Sequence, residues 1–222
     1  MTPPPFTRAV AYGLYQGRMK AAIHALKYDR LHPVARELGR MLAAAIAQLA
    51  PEAPPEMLVV PVPLHRRKFS ERGFNQARSL AVQALGFMRQ SHPHWQLSLA
   101  SSTLIRLKAT ESQAGLTPHQ RRINVRGAFT VSNPSAVAHK HVLLIDDILT
   151  TGATARAAAQ ALVQSGAESV WVATLARARR MYETRFDSVA MNPEDNPGLS
   201  SNALASIYQE AGVNSSHHQS SF

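Results

Sequence analysis

The sequence predicts an α/β fold in which a parallel, twisted sheet is flanked by helices. Three observations carry this. Short apolar runs recur, typified by Met57-Leu-Val-Val-Pro61 and His141-Val-Leu-Leu-Ile145, with the length and composition of buried strands. Helix-patterned stretches lie between them, the alternation expected of a parallel sheet. Both runs lead into loops of unusual chemistry, and ligands of such sheets bind beyond the carboxyl ends of the strands.

The elements follow in order. Tyr15–Tyr28 is a predicted helix with Met19, Ala22, Ile23 and Leu26 on one side, and His32–Ala50 is a second, rich in Ala and Leu and stopped by Pro51. Met57–Pro61 is the first strand. Asn75–Met88 is a third helix. Residues 99–118 are polar, contain Gly115 and Pro118, and suit a mobile loop. Ala128–Val131 and His141–Ile145 are strands. Thr154–Gln164 is a helix closed by Gly166, a residue type common just past helix ends. Ser169–Leu175 is the last strand. From Met181 the composition shifts to Asn, Ser, Pro and His, with room for one short helix at Ala203–Tyr208. The expected organisation is therefore one domain over residues 1–180 and a poorly ordered tail over 181–222. The His217–His218 pair reads as part of that solvated tail.

The composition narrows the function classes. There is no cysteine, which excludes disulfides, thiolate zinc sites and Cys nucleophiles. No apolar run approaches membrane-spanning length, so no membrane partner is expected. No secretory leader is legible near Met1, and the cytoplasm is the expected compartment. The net charge is +10, and residues 1–180 alone carry about +14. A body that basic points to phosphate-bearing small molecules or nucleic acid.

The segment His141 to Thr154 reads as a phosphate site. An apolar strand ends in two carboxylates, Asp146 and Asp147; Thr150, Thr151, Gly152, Ala153 and Thr154 follow, and a helix begins. A helix N-terminus presents unpaired N–H groups and a positive dipole end, which suit a dianionic phosphate. Gly152 is expected to allow close backbone approach. The threonines add hydroxyl donors, and the two acids suit ribose hydroxyls or a Mg²⁺ shell. After the other strand come Arg66, Arg67, Lys68 and Arg72. Four cations in one loop suit a diphosphate. His65 reads as making a local hydrogen bond. For Lys27 the readings are a salt bridge to Asp29, a snorkelled surface position, or ligand contact. Phe74 and Tyr28 read as packing residues.

Asp-Asp-Ile-Leu-Thr-Thr-Gly-Ala-Thr resembles the phosphoribosyl diphosphate (PRPP) motif of type I phosphoribosyltransferases. The resemblance implies that Asp146 and Asp147 hold the ribose hydroxyls, and that Thr150, Thr151, Gly152, Ala153 and Thr154 hold the 5-phosphate. It also implies a Rossmann-like core with a small hood. The stretches Val-Pro-Val-Pro-Leu-His, Arg-Gly-Phe-Asn-Gln, Leu26-Lys27-Tyr28, Arg106-x-Lys108-x-Thr110-x-x-Gln113 and Arg121-x-x-Asn124-x-x-Gly127-x-Phe129 are similar to the ComF family of that fold. Together they cover roughly residues 10 to 176. Many ComF-like proteins carry a Cys-x-x-Cys zinc module that has no counterpart in this sequence, so no zinc is expected.

By this resemblance the protein binds or transfers phosphoribosyl from PRPP with Mg²⁺, and serves competence and DNA uptake. Asp146 and Asp147 would take the catalytic role beside the ribose and Mg²⁺. Arg66, Arg67, Lys68, Arg72 and Lys108 would face the diphosphate, and residues 106–113 could close over it. The alternative is a non-catalytic accessory protein that uses the same fold to bind single-stranded DNA or DNA-processing partners. Aromatic residues at 6% leave little for base stacking.

Overall fold

The computed structural model describes residues 3–28, 32–108, 120 and 127–178. The expected tail over 181–222, with Ala203–Tyr208 and His217–His218, lies outside the described residues. So do Asp29, Thr110, Gln113, Arg121 and Asn124.

The element order is β1 (Arg8–Leu14), α1 (Gly17–Tyr28), α2 (His32–Ala47), β2 (Glu56–Pro61), α3 (Arg66–Arg72), α4 (Gln76–Ser91), β3 (Gln96–Leu99), β4 (Leu104–Arg106), β5 (Phe129–Val131), β6 (His141–Leu149), α5 (Ala153–Gln164) and β7 (Ser169–Arg177). Five strands form the main sheet in the order β1-β7-β6-β2-β3, all pairs parallel. β4 and β5 form a separate antiparallel ribbon. The predicted parallel sheet flanked by helices is present.

Side-chain alternation along the strands sorts the core into two layers. Leu143, Ile145, Trp171 and Ala173 join the cluster that contains α1, α2 and α4. Val142, Leu144, Val170 and Val172 join the cluster that contains α5 and the β4–β5 ribbon. Because β6 is buried on both faces, its sequence is a continuous apolar run rather than an alternation. α4 is held close to α2 at Gly39, where an added Cβ would lie 2.3 Å from Gln83 Cβ. Only glycine permits that helix spacing.

The chain leaves β2 through α3 and α4 toward β3, and leaves β6 through α5 toward β7. β2 and β6 are neighbours, so their exits run in opposite directions from a shared crevice. That is the topological switch point at which open parallel sheets take ligands.

Several elements differ from the sequence expectation. β6 runs on to Leu149, because β7 continues alongside it: Asp146 pairs with Thr174, Ile148 with Ala176 and Leu149 with Arg177. The two acids therefore lie within the strand, with Ile148 and Leu149 still paired beyond them. Arg66–Arg72 is a short helix rather than a loop. His65 caps it by accepting from Arg67 N at 3.3 Å, and Gly73 ends it in the left-handed region at φ 76°. The local hydrogen bond expected of His65 is this cap. Strand β4 falls within the segment read as a polar loop; its partner β5 supplies the ladder. β1 and β3, the two edge strands, were not anticipated.

Candidate functional site

Asp147 is 6% exposed. Its Oδ2 lies 2.6 Å from Lys27 Nζ, carried by the last turn of α1. Lys27 therefore makes an ion pair with Asp147 and also lines the pocket, while Asp29, the salt-bridge partner expected of it, lies outside the described residues. Asp146 is half-buried and turns its Oδ1 onto the backbone N–H of Asp147, 2.9 Å away. Burial pushes the Asp146 carboxyl up to about 8, and the neighbouring Asp147 charge adds to the rise; the Asp147 N–H and Lys27 oppose it. The pair thus has one partnered acid and one acid whose charge is disfavoured until something positive arrives.

Gly152 follows at φ 72° and N-caps α5. An added Cβ there would meet only Leu149 Cδ1, at 4.0 Å. Within the protein it is the left-handed backbone that calls for glycine at this position. The cap makes no side-chain hydrogen bond, and the first turn of α5 has no acidic residue. Thr151 Oγ1 accepts from Ala153 N at 3.4 Å, a long contact. The positive end of a 12-residue helix is left facing the pocket.

Across the crevice, Val62 N donates to Ile145 O at 2.8 Å, and Asn75 Nδ2 donates to Val62 O at 3.0 Å. These bonds bring the exit of β2 and the start of α4 against β6. One pocket results, lined by Lys27, Val62–Leu64, Lys68, Arg72, Gln76, Arg106, Asp146–Thr150 and Gly152–Ala155. Lys68 and Arg72 are one helical turn apart, which puts both on the pocket face of α3. Burial lowers the Lys68 pKa, and repulsion from Arg106, Arg72 and Lys27 lowers it further. Burial likewise lowers that of Arg106, with Asp146 opposing. Cations crowded and partly desolvated in this way favour an anion among them.

The candidate residues are therefore divided. The pocket wall takes in Asp146, Asp147, Thr150, Gly152, Ala153, Thr154, Lys68 and Arg72. Thr151 is outside the wall and supports the turn. Arg66 and Arg67 are exposed, and Arg67 pairs with Glu71 at 3.1 Å; helical geometry turns both away from the face that Lys68 and Arg72 share. Lys108 is exposed and also outside the wall. Lys27, for which ligand contact is one of the sequence readings, also lines the pocket, and so do Gln76 and Arg106, to which the sequence reading gives no site role of their own. Arg106 sits at the end of β4 with its guanidinium 5.3 Å from the Phe129 ring centroid, which fixes its direction. Phe74 packs against the first core cluster, as expected.

A parallel sheet with an acid pair, an open helix N-terminus and clustered cations at its switch point defines a class: an α/β domain that takes phosphorylated ligands beyond its strand ends. Residues 78–196 match the model of the phosphoribosyl transferase domain family. The DNA utilization protein YhgH of Salmonella typhi is 35% identical over 179 residues, 79% of this chain and 74% of that protein. Competence protein F of Haemophilus influenzae is 28% identical over 183 residues, 79% of this chain and 75% of that protein. Among solved structures, a hypoxanthine-guanine phosphoribosyltransferase from Schistosoma mansoni aligns with a TM-score of 0.40 at 19% identity, over 69% of this chain and 62% of that one. The chain belongs to the phosphoribosyl transferase domain family and is a ComF-type member of it. No helix among the described residues is long and apolar enough to cross a membrane.

Proposed function

We propose that this protein binds PRPP with Mg²⁺ and acts as a phosphoribosyltransferase in the handling of DNA during competence. The observation that carries the reading is one pocket joining the Asp146–Asp147 pair, the open N-terminus of α5, and the cations Lys68, Arg72 and Arg106. The named relatives, a DNA utilization protein and a competence protein, supply the biological setting.

The donor set fits Mg²⁺ of the kind that travels with a phosphorylated substrate. Such an ion keeps most of its waters and takes one or two carboxylates plus substrate phosphates. Asp146 offers a carboxylate on the pocket wall, while Asp147 is engaged by Lys27. No group of three or more His, Cys, Asp or Glu gathers among the described residues, so the ion would be held jointly with the diphosphate. When bound, Mg²⁺ would neutralise charge on that leaving group.

The roles then follow from charge. The N-terminus of α5, with Thr150 and Thr154, holds the 5-phosphate. The acids accept from the ribose hydroxyls and sit near the carbon that becomes positive as the glycosidic bond breaks. Lys68, Arg72 and Arg106 stabilise the departing diphosphate.

The test is calorimetric titration of PRPP with Mg²⁺ into the wild type and Asp146→Asn. Saturable binding that the variant loses supports the reading. No binding to folded wild type sinks it. Diphosphate release with a panel of nucleobase and amine acceptors then separates an enzyme from a PRPP-binding sensor. Single-stranded DNA affinity that falls steeply with salt, with no response to PRPP, would instead favour an accessory role.

A further inference from the structure

Gln76 is one of three buried polar residues among the described residues, at 5% exposure. Its neighbour Asn75 is satisfied: Oδ1 caps α4 by accepting from Ala77 N and Arg78 N, and Nδ2 donates to Val62 O. Thr174, buried on β7, donates to backbone carbonyls. Asp147 is paired with Lys27. Gln76 differs. Its carboxamide oxygen is buried and has no hydrogen-bond partner among the described residues, yet the residue lines the pocket.

Buried polar atoms in native proteins are nearly always satisfied, so one left open on a ligand pocket calls for an explanation. Core packing does not supply it. An apolar side chain of the same length would fill the start of α4 without leaving an orphan. α4 is also pinned where it is by Gly39 against Gln83 and by the Asn75 bonds, so Gln76 has little freedom to turn elsewhere. A neutral residue with an unpartnered, buried acceptor therefore stands in the pocket wall beside the cations Lys68, Arg72 and Arg106.

We propose that Gln76 is a ligand-contacting residue of this pocket. Its carboxamide oxygen accepts a hydrogen bond from a donor that the ligand brings, either a sugar hydroxyl or a water held on a ligand-bound metal ion. The inference rests on the reading of the pocket as a PRPP·Mg²⁺ site and adds a residue to which no role has been given. A neutral acceptor here selects ligands that carry such a donor, because a ligand without one leaves the oxygen orphaned.

The experiment compares the wild type with Gln76→Met, which keeps the volume and removes the polar atoms, and Gln76→Glu, which keeps an acceptor. Melting temperature is measured without ligand. Three probes are then titrated: PRPP with Mg²⁺, ribose 5-phosphate alone, and inorganic diphosphate with Mg²⁺. The expected result is a Gln76→Met melting temperature no lower than wild type and about tenfold weaker PRPP·Mg²⁺ binding, as for loss of one hydrogen bond. Gln76→Glu should bind more tightly than Gln76→Met. Weakening confined to ribose 5-phosphate identifies the sugar hydroxyl as the donor, and weakening confined to diphosphate with Mg²⁺ identifies the bound water. Equal PRPP·Mg²⁺ affinity in wild type and Gln76→Met overturns the proposal and leaves the pocket reading intact. So does a large drop in melting temperature with no selective loss of affinity, which would make the residue structural. Failure of folded wild type to bind any of the probes removes the pocket reading itself.

Discussion

Lys27 Nζ, in the last turn of α1, lies 2.6 Å from Asp147 Oδ2, near the end of β6, and the two side chains are only 19% and 8% exposed. One of the two acids at the ligand pocket is thereby neutralised before any ligand arrives. Asp146 is the member left to respond to incoming charge.

Removing one partner of a buried pair strands the other. Lys27→Met is expected to destabilise the protein by about 2–4 kcal/mol. Adding Asp147→Asn to Lys27→Met should recover part of that loss. Urea denaturation of both singles and the double gives the coupling; strict additivity would show that the contact carries no energy.

Asp146 sets a pH dependence whose sign is definite. Its carboxyl has an ordinary value of 3.8 and is raised to about 8 in the folded protein. Between those values the folded state keeps a proton that the unfolded chain has lost. This group's contribution to stability therefore falls as pH rises through the window and levels off above about 8. Asp146→Asn removes the contribution. Melting curves from pH of about 5 to about 8 should fall more steeply for wild type than for the variant. Affinity for PRPP with Mg²⁺ should rise with pH over the same range, because the metal takes the ionised acid.

The four cations near α3 should not behave alike. Lys68→Met and Arg72→Met are each expected to weaken inorganic diphosphate binding about tenfold, the scale of one charged hydrogen bond. Arg66→Ala and Arg67→Ala should change it by less than about twofold, since both side chains are exposed and point elsewhere. Calorimetry at fixed ionic strength distinguishes the sets; four equal losses would mean that the diphosphate lies outside the pocket.

Gly152 tests the phosphate turn. At φ 72°, with nothing nearer than Leu149 Cδ1 at 4.0 Å, Gly152→Ala should cost about 1–2 kcal/mol from backbone strain alone. Gly152→Asn should cost less, because asparagine tolerates the left-handed region better. Thermal unfolding ranks the two. The reverse order would show that space, not the dihedral, governs this position.

The sheet's centre was legible because burial on both faces writes itself into sequence: Val142 to Ile145 and Met57 to Val60 have no polar member to lose. The acid pair and the phosphate turn were legible because their spacing is local. The division of the basic residues was not. Arg66, Arg67, Lys68 and Arg72 look equivalent until α3 forms, and its existence depends on caps at His65 and Gly73 rather than on an apolar stripe. β1 was missed for a related reason. Arg8-Ala-Val-Ala-Tyr-Gly-Leu14 has little intrinsic strand preference, and its conformation comes from pairing with β7. Lys27 and Gln76 stood in plain view, but one partner is distant in sequence and the other is no residue described in the chain.

The pairing of β1 with β7 also imposes an order on synthesis. Arg8 has its register partner in Trp171 and Leu14 in Arg177, so β1 leaves the ribosome long before β7, the strand whose ladder it joins. Until then the apolar faces of α1 and α2 have no finished sheet to cover. A nascent or truncated chain that stops before β7 would lack the strand that joins β1 to β6, and would expose those faces to chaperones and proteases. The β1–β7 ladder, whose pairs span nearly the whole described domain, should accordingly form slowly.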